Sequence, residues 1–160
     1  MARTREFIKK DLESKVVEIK RVTRVVAGGK RMRFRALVVA GDRKGRVGVG
    51  LKKGTDVAEA VAKATNEAKK NLVTVAITNE TIPHAVKFKY KSAVILIKPA
   101  SPGSGVIAGG PVRAVIDLAG IRNISSKMLG SSNKVSNVRA AYLALKSLRT
   151  KEQHVDSLKP

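Results

Sequence analysis

The chain has 160 residues, with 33 Lys and Arg against 12 Asp and Glu and a formal net charge of +21. That excess calls for a polyanion nearby, while 43% hydrophobic residues are enough for a buried core and exclude a disordered basic tail. With 3% aromatic residues, no Trp, no Cys and two His, the sequence argues against a base-stacking face. It excludes disulfides, Cys-ligated zinc, iron–sulfur clusters, thiol catalysis and a histidine-rich metal site.

Residues 1–53 hold 17 Lys and Arg against 5 Asp and Glu, leaving 16 against 7 for the rest, so the basic character is concentrated early. No stretch approaches the roughly 20 apolar residues of a membrane span, and the start lacks the apolar core of a secretory signal. The expectation is a soluble, cytoplasmic chain with no cofactor and no metal.

In chain order, residues 5–13 are compatible with a basic helix, and the β-branched run 16–26 predicts the first strand. Ala27-Gly28-Gly29-Lys30 breaks it. Residues 33–41 alternate, with Phe34, Ala36, Val38 and Ala40 on one face and Arg33, Arg35, Leu37 and Val39 on the other, which predicts a second strand with a half-solvated start. Asp42-Arg43-Lys44-Gly45 reads as a tight turn into a third strand over 46–53, where Val47, Val49 and Leu51 oppose Arg46, Gly48, Gly50 and Lys52. Asp56, three residues before Glu59 and ahead of Val57, Val61, Ala64 and Ala68, predicts a capped helix over 56–71 that closes on Lys69 and Lys70.

Beyond an expected domain boundary near residue 71, the pattern predicts a strand over 72–77 and a loop over 78–83. Strands follow at 87–90 and 92–97, then a Pro/Gly-rich loop over 99–110, a helix at 112–119, a strand at 122–126 and a helix at 135–148. Residues 150–160 form a tail expected to be mobile.

Two segments offer chemistry. In the connection from Thr23 to Arg31, the paired Gly28 and Gly29 permit positive φ or close approach to a phosphate that Arg24, Lys30 and Arg31 would neutralise; a solvated hairpin tip is the plainer alternative. Gly103-Ser104-Gly105-Val106-Ile107-Ala108 formally matches a dinucleotide fingerprint, but Pro99 and Pro102 intervene after the strand and no acidic residue follows at ribose distance. A tight turn or close packing explains those glycines more simply. No phosphate loop of the Gly-Lys-Ser/Thr type and no nucleophile elbow is present. His84, His154 and Asp117 stand without catalytic company.

Several blocks together carry a resemblance. Gly29-Lys30, Phe34, Ala36, then Gly41-Asp42-Arg43-Lys44-Gly45-Arg46-Val47-Gly48-Val49-Gly50, then Asp56-Val57 with Ala60-Val61, resemble the signature of the bacterial small-subunit ribosomal protein five family. The run Pro99-Ala100-Ser101-Pro102-Gly103-Ser104-Gly105-Val106-Ile107-Ala108-Gly109-Gly110 resembles that family's glycine-rich segment, and Gly130-Ser131-Ser132-Asn133 with Arg139-Ala140 its late motif. The likeness spans roughly residues 14–148. Where the late motif usually has a second Asn, this chain has Ser136, with Asn137 one place on.

The resemblance implies an α+β fold of two small domains. Residues 1–71 would form an N-terminal RNA-binding domain like a double-stranded-RNA-binding domain, a β-meander plus helix; residues 72–149 would form a C-terminal mixed sheet with two helices. It implies a non-enzymatic role in the small ribosomal subunit: binding small-subunit rRNA, touching neighbouring small-subunit proteins four and eight, and helping form the side where messenger RNA enters. The family's first strand-to-strand loop is associated with spectinomycin sensitivity and corresponds here to Thr23–Arg31.

The rRNA-binding candidates are Arg21, Thr23, Arg24, Gly28, Gly29, Lys30 and Arg31 in that loop, Arg33, Arg35, Arg46, Lys52 and Lys53 on the meander, and Arg43 and Lys44 at the next turn. Gly103, Gly105, Gly109 and Gly110 are expected to form a close-approach loop in a second domain devoted mostly to packing and protein contacts. The Thr23–Arg31 loop is expected to be mobile alone and ordered by rRNA. A free double-stranded-RNA chaperone and a dinucleotide-binding enzyme are the other functions these residues leave open.

Overall fold

The computed structural model describes residues 12–149. In its first half, β1 (Glu13–Val26), β2 (Gly29–Gly41) and β3 (Arg46–Gly54) form an antiparallel meander. After α1 (Val57–Lys70), the short β4 (Leu72–Thr74) pairs antiparallel with β3 to complete a sheet of order β1-β2-β3-β4. The second half contains β5 (Val86–Tyr90), β6 (Ala93–Pro99), β7 (Val106–Ile107), α2 (Gly110–Ala119), β8 (Ile124–Met128) and α3 (Lys134–Lys146). Its sheet has the order β5-β6-β8-β7, antiparallel except for the β7–β8 pair.

Helix α1 sits on the first sheet by backbone approach. Ala60, Ala64 and Ala68, one helical turn apart, are fully buried. Beneath them lie Gly48, Gly50 and Gly54, and a Cβ at Gly54 would stand 2.6 Å from Ala60 N, one at Gly50 2.8 Å from Ala68 N and inside the Ala64 carbonyl oxygen. The expected alternation of β3 is thus present, and its glycine face forms the helix seat.

From Ala36 to Ala40 both faces of β2 are buried. Ala36 and Val38 pack under α1 with Ala60 and Ala64, while Leu37 and Val39 join Val47 and Val49 in a larger core with α2, α3 and the inner face of the second sheet. The layers therefore run α1, first sheet, α2 with α3, second sheet. The turn after β2 secures this stack: Arg43 N and Gly45 N donate to Leu118 O and Ala119 O at 3.0 and 2.9 Å, and Gly120, at φ +84°, presses on the Arg43 carbonyl with no room for a Cβ.

Several expectations change. Glu13 begins a strand, and the rest of the proposed 5–13 basic helix, but for Leu12, lies outside the described residues, as does the 150–160 tail. The Thr23–Arg31 segment is not a loop: β1 and β2 stay paired up to Val26 and Gly29, leaving Ala27-Gly28 as the turn. The β-branched Val22, Thr23, Val25 and Val26 favour extended structure and carry the pairing to the glycines. Leu72–Thr74, expected beyond the boundary, is an edge of the first sheet, and β7 emerges within the expected 99–110 loop. β8 starts two residues late because Arg122 N and Asn123 N both donate to Glu80 O.

The α1 cap also differs. Asp56 occupies the cap position without a side-chain cap bond, and Glu59 instead accepts from Thr55 N and Thr55 Oγ1, each at 2.6 Å. At α3, Asn133 accepts from Val135 N (3.0 Å) and Ser136 N (3.4 Å), so the residue at 136 contributes its backbone to the cap. Asn137, fully buried, donates from Nδ2 to Ser131 O at 2.8 Å and pins the preceding loop.

Candidate nucleic-acid interface

β3 pairs with β2 only as far as Phe34, opposite Gly54. From there Val22–Val26 and Gly29–Arg33 continue as a two-stranded arm, exposed throughout except for half-buried Val22. Five residues at about 3.3 Å each give an arm of roughly 17 Å. Gly29, at φ +134°, needs glycine to turn the chain, whereas a Cβ at Gly28 would meet nothing within 4 Å.

Residues directly opposite in an antiparallel pair share a face. Arg24 stands opposite Arg31, Val22 opposite Arg33, and Lys20 opposite Arg35, which is in turn opposite Lys53. This is the Leu37 face of the sheet, toward and beyond the Gly54 end of β3. Val22, Thr23, Arg24, Arg31, Arg33 and Lys53 line a hollow of about 260 Å³ there. Arg24, Arg31, Arg33, Arg35 and Lys53 have no carboxylate within 4 Å among the described residues. Two unit charges 5 Å apart repel by about 0.8 kcal/mol even at the permittivity of water, so the arrangement opposes folding slightly and attracts any polyanion that enters it.

The other candidates fall elsewhere. Arg21, Lys30 and Lys52 lie on the α1 side, where Arg21 is opposite Phe34, Lys30 opposite Val25, and Lys52 pairs with Glu67 at 3.1 Å. Arg43, Lys44 and Arg46 stand at the far end of β2, about 40 Å from the arm tip by strand rise. There Asp42 accepts from Lys44 N (2.8 Å), Arg46 N (2.9 Å) and Arg46 Nε (2.6 Å), and Arg43 pairs with Glu13 at 2.7 Å. Burial pushes the Asp42 carboxyl up, but the Arg46 guanidinium and the two backbone N–H groups outweigh it and hold the group below its ordinary value. Of these three cations Lys44 alone is exposed without a described carboxylate partner.

Gly103 and Gly105, at φ +87° and +69°, turn their N–H groups onto Asn123 Oδ1 at 3.0 and 3.2 Å. Those donors are used inside the chain, so the fingerprint does not form a pyrophosphate cradle. Nothing approaches a Cβ at Gly103, Gly105 or Gly110 within 4 Å, and at Gly109 only the flexible Met128 side chain does. Asn123 was not apparent from sequence; its signal was a polar residue between the buried Ile121 and Ile124.

A second hollow, about 310 Å³, lies between the halves beside Leu51, Glu67, Tyr90, Arg139 and Tyr142. Its polar groups are satisfied internally. Tyr142 OH donates to Asn71 O, Glu67 accepts from Leu51 N, and Arg139 donates to Tyr90 OH and draws that phenol below its usual range. No cluster of three metal-ligating side chains occurs among the described residues.

The family model described as ribosomal protein S5, N-terminal domain, matches residues 12–76, and that described as ribosomal protein S5, C-terminal domain, matches residues 88–157. A protein named small ribosomal subunit protein uS5c from Guillardia theta is 50% identical over 141 residues, covering 88% of this chain and 83% of that protein. The chain therefore belongs to the ribosomal protein S5 family, and it is a structural, RNA-binding component of the ribosome rather than an enzyme.

Proposed function

We propose that the chain serves in the small ribosomal subunit by inserting the β1–β2 arm against rRNA, with Arg24, Arg31, Arg33, Arg35 and Lys53 neutralising phosphates. The observation that carries this is the side-by-side placement of those cations with no described carboxylate to balance them. Thr23 supplies a neutral hydrogen-bonding group at the rim, and Gly28 and Gly29 keep the tip thin. Arg21, Lys30 and Lys52 meet RNA from the arm's other face, and Arg43, Lys44 and Arg46 form a separate, minor contact at the opposite end of the sheet. The glycines Gly103, Gly105, Gly109 and Gly110 leave an open surface for a partner. Contacts with small-subunit proteins four and eight, with messenger RNA where it enters, an effect on decoding, and residence on cytoplasmic ribosomes belong to the same reading.

Phosphate contacts give salt-dependent affinity, with about 0.7 to 0.9 units of log–log slope for each phosphate neutralised. Replacing Arg24, Arg31 and Arg33 by Gln in the full chain should lower the slope for small-subunit rRNA by roughly 2 to 3 and reduce incorporation into small subunits on gradients. An unchanged slope, or equal affinity for arbitrary duplexes with no enrichment in subunits, would refute the proposal.

A further inference from the structure

The outer face of the second sheet belongs to no site described so far. By register, Lys87 is opposite Leu96, which is opposite Lys127; Lys89 is opposite Val94; and Lys98 is opposite Ser125, which pairs with Ile107. These residues share the face turned away from α3, since the alternate positions Ala93, Ile95 and Ile97 are buried in the core. All four lysines are exposed and none has a carboxylate within 4 Å among the described residues. With strands about 4.8 Å apart and about 6.7 Å between same-face residues, four positive charges occupy roughly 10 by 13 Å around a half-buried Val94–Leu96 strip.

We infer that this face is a second polyanion-binding surface whose ligand is the phosphate backbone of an RNA segment other than the one held by the arm. Charge is the first argument: a sheet face with four unpaired cations and no acid favours a polyanion. Residue type is the second. Protein–protein interfaces are depleted in Lys and enriched in Arg and aromatic side chains, and this face has four Lys with neither. Neither end of the sequence carries a net negative charge. Residues 1–11 contain four Lys and Arg against two Asp and Glu, and residues 150–160 contain two of each sign.

The layer order separates the two surfaces. Helices α2 and α3 stand between the sheets, so the lysine face points away from the sheet that carries the arm. One RNA strand contacting the arm does not reach it without passing around the molecule. The chain thus acts as a bridge between two RNA segments, a function that goes beyond the arm contact.

The test uses the full chain and small-subunit rRNA, with Lys87, Lys89, Lys98 and Lys127 all replaced by Gln, a second variant with all four replaced by Arg, and the arm variant R24Q/R31Q/R33Q. The Gln variant should melt like the parent, lose about 3 units of salt slope, and lose one set of backbone protections from hydroxyl-radical cleavage while keeping the arm-dependent set. The Arg variant should restore both. The arm variant should lose the other set and keep this one, so failure of the arm proposal is read separately. Unchanged slope and protections in the Gln variant would overturn the inference, as would loss of a crosslink to an acidic protein with every RNA protection retained.

Discussion

Gly50→Ala isolates the way α1 is seated. A Cβ at Gly50 would stand 2.8 Å from Ala68 N and 2.9 Å from the Ala64 carbonyl carbon, and would fall inside the Ala64 carbonyl oxygen, where ordinary contact begins at 3.4 Å. The obstructing atoms are helix backbone, so no rotamer relieves the clash, and α1 must lift by more than half an ångström along its Ala60–Ala64–Ala68 face. Overpacking of this kind costs about 1 to 3 kcal/mol, occasionally more, against which Ala regains up to about 1 kcal/mol over Gly in a strand. The expected net loss is about 2 kcal/mol, which for a chain of this length lowers the melting temperature by roughly 4 to 8 °C. Gly28→Ala is the control: nothing lies within 4 Å of its Cβ and its φ is not positive, so its effect should stay within about 0.5 kcal/mol. Urea denaturation with both variants measures the difference. Equal stability of the two would refute the claim that close backbone approach requires glycine at 50.

Three further outcomes follow from the same geometry. Asp42, whose side chain is 2% exposed, has its folded pKa depressed below the ordinary 3.8. Its stabilisation is therefore present above that value and is lost as pH falls through the folded pKa. Asp42→Asn should destabilise at pH 7 by about 1.5 to 3 kcal/mol, with the gap to the parent closing in acid; a gap independent of pH would contradict the assignment. Asn137→Ala removes the bond to Ser131 O and leaves that carbonyl without its donor, so chemical denaturation should show a loss of about 2 kcal/mol; no loss would mean that the loop is held elsewhere. Amide exchange should be faster at Arg24 and Arg31, in a ribbon with no third strand, than at Val38 and Val39 between two neighbours. Equal protection would show that the arm does not open on its own.

The β2 and β3 alternations were legible because they follow from strand geometry, and the α1 stripe because Val57, Val61, Ala64 and Ala68 repeat at helical spacing. What those patterns did not reveal is what each face meets. Leu37 and Val39 share a face with Arg33 and Arg35, and the pattern did not show that α2 and α3, far along the chain, cover that half of the face as a core. The arm was misread for a local reason. Gly28 and Gly29 mark a turn, but a two-residue turn needs no more than that, and the β-branched Val22, Thr23, Val25 and Val26 carry the pairing up to it. β7 is held by pairing to β8, a non-local bond with no periodic signal in two residues.

The cations sort by their partners, and that sorting says more than their total. Arg43, Arg46, Lys52, Lys63, Arg122 and Lys134 each meet a carboxylate, and Arg46 and Lys134 do so where the chain's elements join. Those charges serve the fold. Arg24 stands directly across from Arg31 and Arg35 from Lys53, where like charges cost stability, with Arg33 between them on the same face. Lys87, Lys89, Lys98 and Lys127 lie on one uncovered sheet face without a described carboxylate, each opposite Leu96, Val94 or Ser125 rather than another cation. A folded chain in isolation gains nothing from either group. In the proposed reading a phosphate backbone is the partner that would offset this repulsion, releasing counterions as it binds.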